Sequence, residues 1–352
     1  RDMEQADLQH ARPGAAFVRT FPCAGCGARL SFAPGTRKLA CPYCGASNDI
    51  AEDDARVEEL DLGTYLEALE GTMEVEEVEQ VKCEKCGAEQ PLGGSLFAGQ
   101  CTFCGAAIVS KSYASRRIKP RAVVPFQIDL VRAQEAFGRW LRWRWLAPGD
   151  LRRYARSDAA LTGIYLPFWT YDCRTSTDYT GLRGIKRDKS TDWSQVSGHV
   201  DKFHDDVIVL ASRSLPPSLQ GAITRWDTRA LVAYRPEYLS GFRAEAYQIG
   251  LKDGSGIARA MIDERIRSLI RRDIGGDEQQ IDAVSTWYGD LTFKHVLMPV
   301  WISAYRYRDK VYRFLVNAQT GETTGESPLS WWKVALLAVV GLFVVYLWIA
   351  SQ

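Results

Sequence analysis

The sequence predicts an α+β protein, with two small β modules of four cysteines each, a mixed α+β domain and one C-terminal transmembrane helix. Three observations predict this fold. Eight of the nine cysteines fall in four CxxC pairs near the N-terminal end of the sequence. Aromatic and β-branched runs are interspersed with helical patterns over residues 119–327. A charge-free apolar run covers residues 334–350.

Composition and charge bound the class of protein. The chain has 352 residues, of which 46% are hydrophobic and 25% charged, as in ordinary globular proteins. The net charge of +1 indicates neither nucleic acid nor acidic partners. Residues 51–80, however, hold twelve acids and one base (net −11), whereas residues 111–156 hold twelve bases and three acids (net +9). These two segments could neutralise one another in the fold.

The N-terminal third divides into four segments. Residues 1–20 are a polar, flexible lead-in, and residues 21–50 form the first cysteine module. Residues 51–80 are an acidic linker, and residues 81–110 form the second module. The linker is expected to contain a short amphipathic helix, because apolar residues recur there at helical spacing: Leu60, Leu62, Tyr65, Leu66 and Leu69.

The two cysteine modules are an internal repeat. Every cysteine of the first module recurs 60 residues later, and so does the Gly-Ala pair that follows each CxxC. A match of this kind indicates duplication of one module. The first set is Cys23, Cys26, Cys41 and Cys44, and the second is Cys83, Cys86, Cys101 and Cys104.

The spacing of these cysteines predicts two zinc ribbons. Zn²⁺ takes four soft ligands in a tetrahedron, and a CxxC knuckle supplies two thiolates from one tight turn. The 14 residues between the knuckles of each module are enough for a strand hairpin. A full set of four cysteines leaves no open position for water, so we expect two structural Zn²⁺ ions rather than catalytic ones. Thiol exchange is the competing interpretation, but that motif usually accompanies a βαβ pattern, which this sequence lacks.

The compartment follows from the same cysteines. No apolar signal segment precedes them, so we expect the thiols to stay reduced in the cytosol.

The region 119–327 is predicted to be an α+β domain. Helices are expected over residues 129–146 and 255–274, the first ended by Pro148-Gly149. In the second helix, apolar residues should share one face: Ile257, Met261, Ile262, Ile266, Leu269 and Ile270. Strand hairpins are expected over residues 164–180 and 296–316.

A weaker repeat suggests a variant of this arrangement. Leu166-Pro167-Phe168-Trp169 aligns with Met298-Pro299-Val300-Trp301 at an offset of 132 residues. Each motif is preceded by a long helix and followed by an aromatic strand. The domain could therefore consist of two similar halves.

Three further clusters carry chemistry-bearing residues. Cys173 lies in a predicted strand and is interpreted as a core or edge thiol rather than a nucleophile. His199, His204, Asp205 and Asp206 include metal-ligating residue types, but their spacing favours solvated hairpin residues.

The third cluster, residues 139–145, interleaves arginine and tryptophan. It could stack nucleic-acid bases or lie at a membrane interface. The helical stripe instead favours Trp140 and Leu141 packing inward, with the arginines in water.

The C-terminal region, residues 331–350, is predicted to cross a membrane once. The 17 uncharged residues 334–350 span about 25 Å as a helix, and Trp331 and Trp332 suit an interface. A buried C-terminal helix is the alternative. Lys333 on the N-terminal side of the span predicts that the preceding domains are cytoplasmic, as in a tail-anchored protein of the cell membrane.

Enzyme signatures are missing from the sequence. There is no GxxxxGK[ST] phosphate loop, HExxH, GxSxG or GxGxxG. We therefore predict that the protein is not an enzyme.

The order CAGCGA, CPYCGA, CEKCGA, CTFCGA, then VVPF, YLPFW, MPVW, VNAQTGE and an apolar tail resembles a bacterial family of tail-anchored double zinc-ribbon membrane proteins. Its members carry the labels transcription-factor-IIB-type zinc ribbon or primosomal protein N′-like. The resemblance implies zinc at the eight cysteines. It also implies association, for some members, with phage-shock protein A and flotillin-like SPFH proteins.

These observations predict a membrane-anchored zinc-ribbon adaptor or scaffold. Its partners would be membrane lipid, through the C-terminal helix, and proteins at the cytoplasmic face, with a role in the membrane-stress response. The alternative is a membrane-tethered protein that binds nucleic acid through its ribbons. The ribbons lack the dense basic face that phosphate binding requires, and the net charge of −11 between them favours the adaptor.

Overall fold

The computed structural model confirms the predicted α+β fold, with two four-cysteine clusters, a mixed-sheet domain and one apolar C-terminal helix. The predicted lead-in lies outside the described residues. The structure describes residues 21–51, 57–68, 75–91, 99–108, 113–149, 161–188, 190–220, 223, 225–307 and 310–351.

The first module is a three-stranded antiparallel sheet. Its strands are β1 (Ser31–Phe32), β2 (Lys38–Ala40) and β3 (Ser47–Asp49), in that order. The first CxxC precedes β1, and the second connects β2 to β3. The strands between the two knuckles are therefore the predicted hairpin.

The acidic segment is more structured than a linker. It contains β4 (Leu60–Asp61), α1 (Leu62–Ala68) and the first part of β5 (Val75–Lys82). Leu62 and Tyr65 are buried, as the amphipathic pattern predicts, whereas Leu69 lies outside the described residues.

The second module extends beyond its cysteines on both sides. Besides β5 it contains β6 (Glu89–Pro91), β7 (Gly99–Gln100), β8 (Ala107–Ile108) and β9 (Tyr113–Ile118). One sheet has the order β6-β5-β9, and β7 pairs with β8. Strand β5, with three glutamates, runs antiparallel to β9, with two arginines, so that Glu76 stands opposite Arg117. The acidic and basic segments of the chain thus meet in one sheet.

A nine-stranded mixed sheet forms the α+β domain. Besides β4, its strands are β10 (Ala122–Val123), β11 (Thr162–Arg187), β12 (Ser190–Leu210), β13 (Val232–Ala233), β14 (Arg243–Ala244), β15 (Glu278–Tyr307), β16 (Lys310–Asn317) and β17 (Thr323–Gly325). One expected hairpin is wrong: residues 164–180 lie within a single strand, β11, which continues to Arg187 before the chain turns. The strand order along the main path of the sheet is β12-β11-β15-β10-β13. Strand β14 pairs with β11, strands β4 and β16 pair with β15, and β17 pairs with β16.

Four further helices lie within the described residues: α2 (Leu130–Trp143), α3 (Pro217–Gln220), α4 (Leu251–Ile274) and the C-terminal α5 (Trp331–Ala350). Helix α2 begins after Asp129, whose carboxylate accepts a hydrogen bond from the Arg132 N–H as an N-cap. Short 3₁₀ turns cover Thr228–Ala230 and Pro236–Leu239. The two predicted long helices are thus present within a few residues of their expected bounds.

The two LPFW-like motifs lie side by side. Leu166 pairs with Met298 across the antiparallel β11-β15 ladder. The carbonyl of Pro167 accepts a hydrogen bond from the Ala211 N–H at 2.9 Å, and the carbonyl of Pro299 accepts one from the Ala318 N–H at 3.0 Å. The order of helix, long strand and returning strand therefore occurs twice in the domain, with matching contacts.

Both faces of the central strands are buried. Along β11, Ile164 and Leu166 pack in one apolar cluster with the second module, whereas Tyr165 packs in another with the first module. Side chains alternate between faces along a strand, so the two modules cover opposite faces of the sheet. This explains why the strand sequence is a continuous apolar run instead of an alternating one.

Helix α5 is long and apolar enough to span a membrane. It has 20 residues, a mean hydropathy of 2.4, and no part buried against the protein. Among the described residues it alone has this character.

Candidate metal centres

The four CxxC knuckles share one backbone geometry. In the first, the N–H of Gly27 donates to the carbonyl of Cys23 at 2.8 Å, and the N–H of Cys23 donates to the carbonyl of Ala28 at 2.7 Å. The other knuckles repeat both hydrogen bonds at 2.7–3.1 Å. The glycine after each knuckle has φ between 67° and 74°, a left-handed conformation that glycine adopts without strain. The repeated Gly of the sequence is thus required by the turn.

Each module brings its four thiols together. In the first cluster, Sγ of Cys23 lies 3.5 Å from Sγ of Cys44, and the Cys26–Cys41 separation is also 3.5 Å. In the second cluster, the corresponding separations are 3.7 Å and 3.5 Å. Within each cluster, all four sulfurs lie within 4.8 Å of one another.

This geometry fits a tetrahedral metal site. Bonds of about 2.3 Å from Zn²⁺ to four sulfurs place neighbouring sulfurs about 3.8 Å apart. A disulfide needs an S–S distance of about 2.05 Å, and all eight cysteines are free. Both sets of four cysteines can therefore hold a metal ion, and each set would fill all the coordination positions of a tetrahedral ion.

Backbone amides favour the thiolate form in the first cluster. The N–H groups of Cys44 and Tyr43 point at the Cys41 sulfur and lower the pKa of its thiol to about 6. The pKa of Cys23 is lowered in the same way, by the N–H groups of Cys26 and Gly25. In the first cluster, the backbone of each knuckle thus favours the thiolate form of its first cysteine, which is the form that binds a metal.

The two clusters differ in their exposure. In the first, Cys26 and Cys44 are exposed, and Tyr43 beside them has 82% of its surface in solvent. In the second, Cys104 is buried, and Phe103, which occupies the repeat position of Tyr43, is fully buried. The first cluster therefore presents an open knuckle, whereas the second is enclosed.

Hydrogen bonds attach the second module to the α+β domain. The Arg313 Nε donates to the Phe103 carbonyl at 2.8 Å, and the Gln248 Nε2 donates to the Gly87 carbonyl at 2.9 Å. Each of these carbonyls lies in a knuckle or directly after one. The second module thus packs against the α+β domain with the side that carries its metal ligands.

The first module docks through its strands instead. The N–H of Phe32 donates to the Ser240 carbonyl at 2.9 Å, and the Ser240 hydroxyl donates to the Leu30 carbonyl at 2.6 Å. The rings of Phe32 and Tyr238 pack edge to face at 5.3 Å. This contact leaves Cys26, Tyr43 and Cys44 exposed at the metal end of the module.

A third group of potential ligands is an ion-pair network. Asp172, Asp205 and Asp206 bring their carboxylates together, but the Lys294 ammonium lies 2.9 Å from Asp206 and 3.6 Å from Asp172. It also lies 3.0 Å from Glu59. A buried ammonium in contact with these carboxylates supplies the positive charge that a metal would otherwise bring.

The two histidines of the predicted cluster do not converge with these acids. His204 is buried and its Nε2 lies 3.0 Å from the Thr175 hydroxyl. His199 is on the surface between Asp178 and Asp201. In the described part of the chain, neither histidine belongs to a group of three or more potential ligands. The expectation of solvated residues is confirmed for His199 and wrong for His204.

Cys173 is buried, and burial raises the pKa of its thiol to about 11. This fits the predicted core thiol. The interpretation of the Arg–Trp segment is also confirmed in its main feature, since Trp140 and Leu141 are buried and Arg139, Arg142 and Arg144 are exposed.

Sequence reasoning missed the Lys294 network. Its members come from β11, β12 and β15, together with Glu59, the residue that precedes β4. One available signal was a lysine inside the apolar run that leads into the MPVW motif, where a charge requires a partner.

A comparison with curated proteins found a relative of this chain. No protein-family model matches the chain, and no solved structure matches it. The chain is 26% identical over 330 residues to the "Uncharacterized protein YdjG" of Bacillus subtilis (strain 168), which covers 91% of this chain and 93% of that protein. The similarity extends over nearly the full length of both proteins.

Proposed function

We propose that this protein is a membrane-anchored adaptor that recruits a protein partner through the open knuckle of its first zinc ribbon. Two Zn²⁺ ions hold the ribbons, and helix α5 fixes the assembly in the membrane, with the ribbons on the cytoplasmic side. The chain would then belong to the bacterial double zinc-ribbon membrane family. A flotillin-like SPFH protein or a phage-shock-type protein is the expected partner.

The contrast between Tyr43 and Phe103 carries this proposal. The two residues occupy the same position of a duplicated module, yet one is 82% exposed and the other fully buried. Burying an exposed tyrosine ring contributes strongly to protein interfaces, and tyrosine is enriched at their energetic centres. The second ribbon uses this position to dock onto its own chain, and we infer that the first uses it to dock onto a partner.

Zinc is favoured by the donor set. Four thiolates arranged as a tetrahedron are typical of structural zinc, and no position remains for a substrate. A closed site of this kind supplies folding free energy rather than chemistry. Metal analysis of the purified chain should return about two zinc ions per chain, and a different metal would contradict this part of the proposal.

The recruiting role is tested with Tyr43→Ala in the full chain. We expect its co-purification with the flotillin-like SPFH protein and phage-shock protein A of the same cell, from detergent-solubilised membranes, to fall about tenfold or more, as for a central interface residue. Zinc content should stay unchanged, because Tyr43 is not one of the four ligands and 82% of its surface is in solvent. Trp193→Ala, which removes an aromatic residue on β12, is the matched control.

Unchanged recovery of both partners with Tyr43→Ala would refute the recruiting role of the first ribbon. Nucleic-acid binding would be revealed by a gel shift of the full chain that weakens steeply with salt. Anchoring is tested separately: the intact chain should resist extraction of membranes with alkaline carbonate, and a chain lacking residues 331–352 should not.

A further inference from the structure

The end of helix α2 is fastened to the beginning of helix α5. The Lys333 ammonium donates hydrogen bonds to the carbonyls of Trp145 at 2.9 Å and Ala147 at 2.7 Å. The N–H of Ser330 donates to the Leu146 carbonyl at 2.9 Å. These bonds hold residues 145–147 beside the first turn of the apolar helix.

Exposed indoles are concentrated at this junction. Trp143 has 83% and Trp145 61% of its surface in solvent, and Trp331 and Trp332 are exposed as well. Tryptophan is one of the more buried residue types, so four exposed rings in one place indicate a surface that is covered in use. By contrast, Trp140 of the same helix packs against Phe314 with ring centroids 5.0 Å apart.

Arginines accompany these rings. Arg139, Arg142 and Arg144 are exposed, and within the described residues none of them forms an ion pair. Arg139 and Arg144 also line an open cavity of about 360 Å³ at the C-terminal end of α2. The remaining cavity lining is Ala136, Trp140, Trp143, Gly321 and Thr323. A basic, indole-walled cavity of this kind suits the phosphate of a lipid headgroup.

We propose that this surface, here called the Arg–Trp platform (Arg139, Arg142, Trp143, Arg144 and Trp145), lies in the headgroup layer of the membrane and binds anionic phospholipid. The inference rests on the proposed anchoring by α5. Where α5 enters the membrane, its flanking Trp331, Trp332 and Lys333 are at the depth of the headgroups, because tryptophan and lysine prefer that layer.

The hydrogen bonds from Lys333 place Trp145 at the same depth. The platform therefore meets lipid without any further movement of the domain. Indoles supply interfacial affinity and arginines attract anionic headgroups, so the two residue types act on the same partner. A single span leaves a domain free to rotate and tilt, and a second contact with the bilayer would fix its orientation.

The first test measures depth by tryptophan fluorescence. The full chain is reconstituted into vesicles of phosphatidylcholine brominated near the glycerol end of its acyl chains, which quench nearby indoles. If the platform is in the membrane, five of the eleven tryptophans lie at its interfaces: Trp143, Trp145, Trp331, Trp332 and Trp348.

Replacing two of these five, with Trp143→Phe and Trp145→Phe, should lower the quenched share of the emission from about 45% to about 33%, for equal emission per ring. Removing two exposed tryptophans of the long strands, with Trp193→Phe and Trp287→Phe, should raise it to about 56%. The two double variants thus have opposite expected signs. A quenched share that does not fall with Trp143→Phe and Trp145→Phe would overturn the proposal.

The second test measures lipid preference. In vesicles where only a minor phosphatidylglycerol component is brominated, quenching above that of an equal fraction of brominated phosphatidylcholine reports local enrichment of the anionic lipid. Arg139→Gln, Arg142→Gln and Arg144→Gln together should abolish the excess. The control triple Lys252→Gln, Arg267→Gln and Arg272→Gln, on exposed positions of α4, should keep it.

Excess quenching that persists without the three arginines would refute the anionic-lipid assignment. Failure of the anchoring itself looks different. In that case Trp331, Trp332 and Trp348 would also escape the quencher, and the protein would be extracted by alkaline carbonate. Quenching by the α5 tryptophans alone would leave the adaptor proposal standing and overturn only the platform. Salt-sensitive nucleic-acid binding lost with the arginine triple, without lipid enrichment, would likewise overturn it.

Discussion

Lys294 is a buried lysine whose ammonium group is surrounded by carboxylates. Its side chain is 8% exposed, and three carboxylates lie within 3.6 Å of its ammonium. Burial raises the pKa of Asp172 to about 6 even though the lysine opposes this rise. The ammonium thus stabilises a buried acidic cluster that would otherwise repel itself.

We predict that Lys294→Met lowers the free energy of unfolding by about 3–5 kcal/mol, because it leaves buried carboxylates without their partner. The loss should be larger at pH 8 than at pH 5.5. Lys294 lowers the pKa of Asp172 and of Glu59, so its removal raises both pKa values. At pH 5.5 the native variant then binds protons that relieve the repulsion, whereas at pH 8 it does not. Urea unfolding of the full chain in detergent at the two pH values measures both effects.

Lys202→Met is the control, since Lys202 is exposed and should change stability by less than about 0.5 kcal/mol. Adding Asp206→Asn to Lys294→Met should restore part of the loss by removing one carboxylate. Equal effects of Lys294→Met and Lys202→Met would refute the role of the network.

At the scale of elements, helix α4 shows how small residues set packing. Its buried face begins with Leu251 and then follows a four-residue step from Gly254 through Ala258 to Ile262, Ile266, Ile270 and Ile274. Ile257, expected on this face, is 41% exposed. The small residues allow the first turns to approach β11, where the Tyr171 hydroxyl donates to the Leu251 carbonyl at 2.9 Å.

Two glycines of α4 therefore have opposite expected responses to alanine. A Cβ at Gly254 would lie 2.5 Å from the Tyr171 oxygen and 2.8 Å from the Trp169 ring, whereas one at Gly256 would meet nothing within 4 Å. We predict that Gly256→Ala stabilises the protein by about 0.5–1 kcal/mol through helix propensity. Gly254→Ala should destabilise it by about 1–3 kcal/mol through overpacking.

Thermal or urea unfolding of the two variants side by side checks this prediction. Each variant is the control for the other, since both add one methyl group to the same helix. A stabilising effect of Gly254→Ala would show that α4 does not approach β11 as closely as described.

At the scale of the whole molecule, the two ribbons are built into the domain. Residues 236–248, which connect β13 to α4, touch both of them. Ser240 bonds to the first ribbon, and Gln248 bonds to the second. Arg243 donates to the Thr102 hydroxyl of the second ribbon at 2.7 Å. Metal binding supplies the folding free energy of such modules. The loss of one metal should therefore destabilise the segments of the domain that contact that ribbon.

We predict that Cys23→Ser with Cys26→Ser increases hydrogen exchange of the full chain mainly over residues 236–242. Cys83→Ser with Cys86→Ser should increase it mainly over residues 243–248 and in β11, because the second ribbon covers Ile164 and Leu166. Hydrogen exchange read by mass spectrometry separates the two patterns.

Cys173→Ser controls for the loss of a thiol outside the clusters. Its effects should stay within β11 and β12. Unchanged protection of residues 236–248 after removal of either metal would show that the ribbons are independent modules.

The parts of the fold that were predicted correctly depend on short stretches of sequence. A CxxC with its following glycine fixes one turn, and the repeat at 60 residues fixes the other turns by analogy. The apolar run of α5 needs only length and composition to be identified. The approximate ranges of α2 and α4 follow from local periodicity, although α2 already ends at Trp143, before the stop signal Pro148-Gly149.

The predictions that failed concern contacts between distant segments. Residues 164–180 were expected to turn back, but β11 continues because β12 and β15 pair with it along most of its length. His204 was expected in solvent, but it packs beneath Thr175 of the neighbouring strand. The pairing of strands decided both outcomes, and single-sequence patterns do not encode it.

The sequence by itself determined the two four-thiol sites, the α+β class and the apolar helix, because each is specified by neighbouring residues. Only the tertiary structure decided that Phe103 is buried and Tyr43 exposed, since both follow the same local motif. It also decided that Lys294 meets Asp172 and that Trp145 lies beside α5. Burial and ion pairing depend on which distant surface packs against a residue, and that information is distributed over the whole chain.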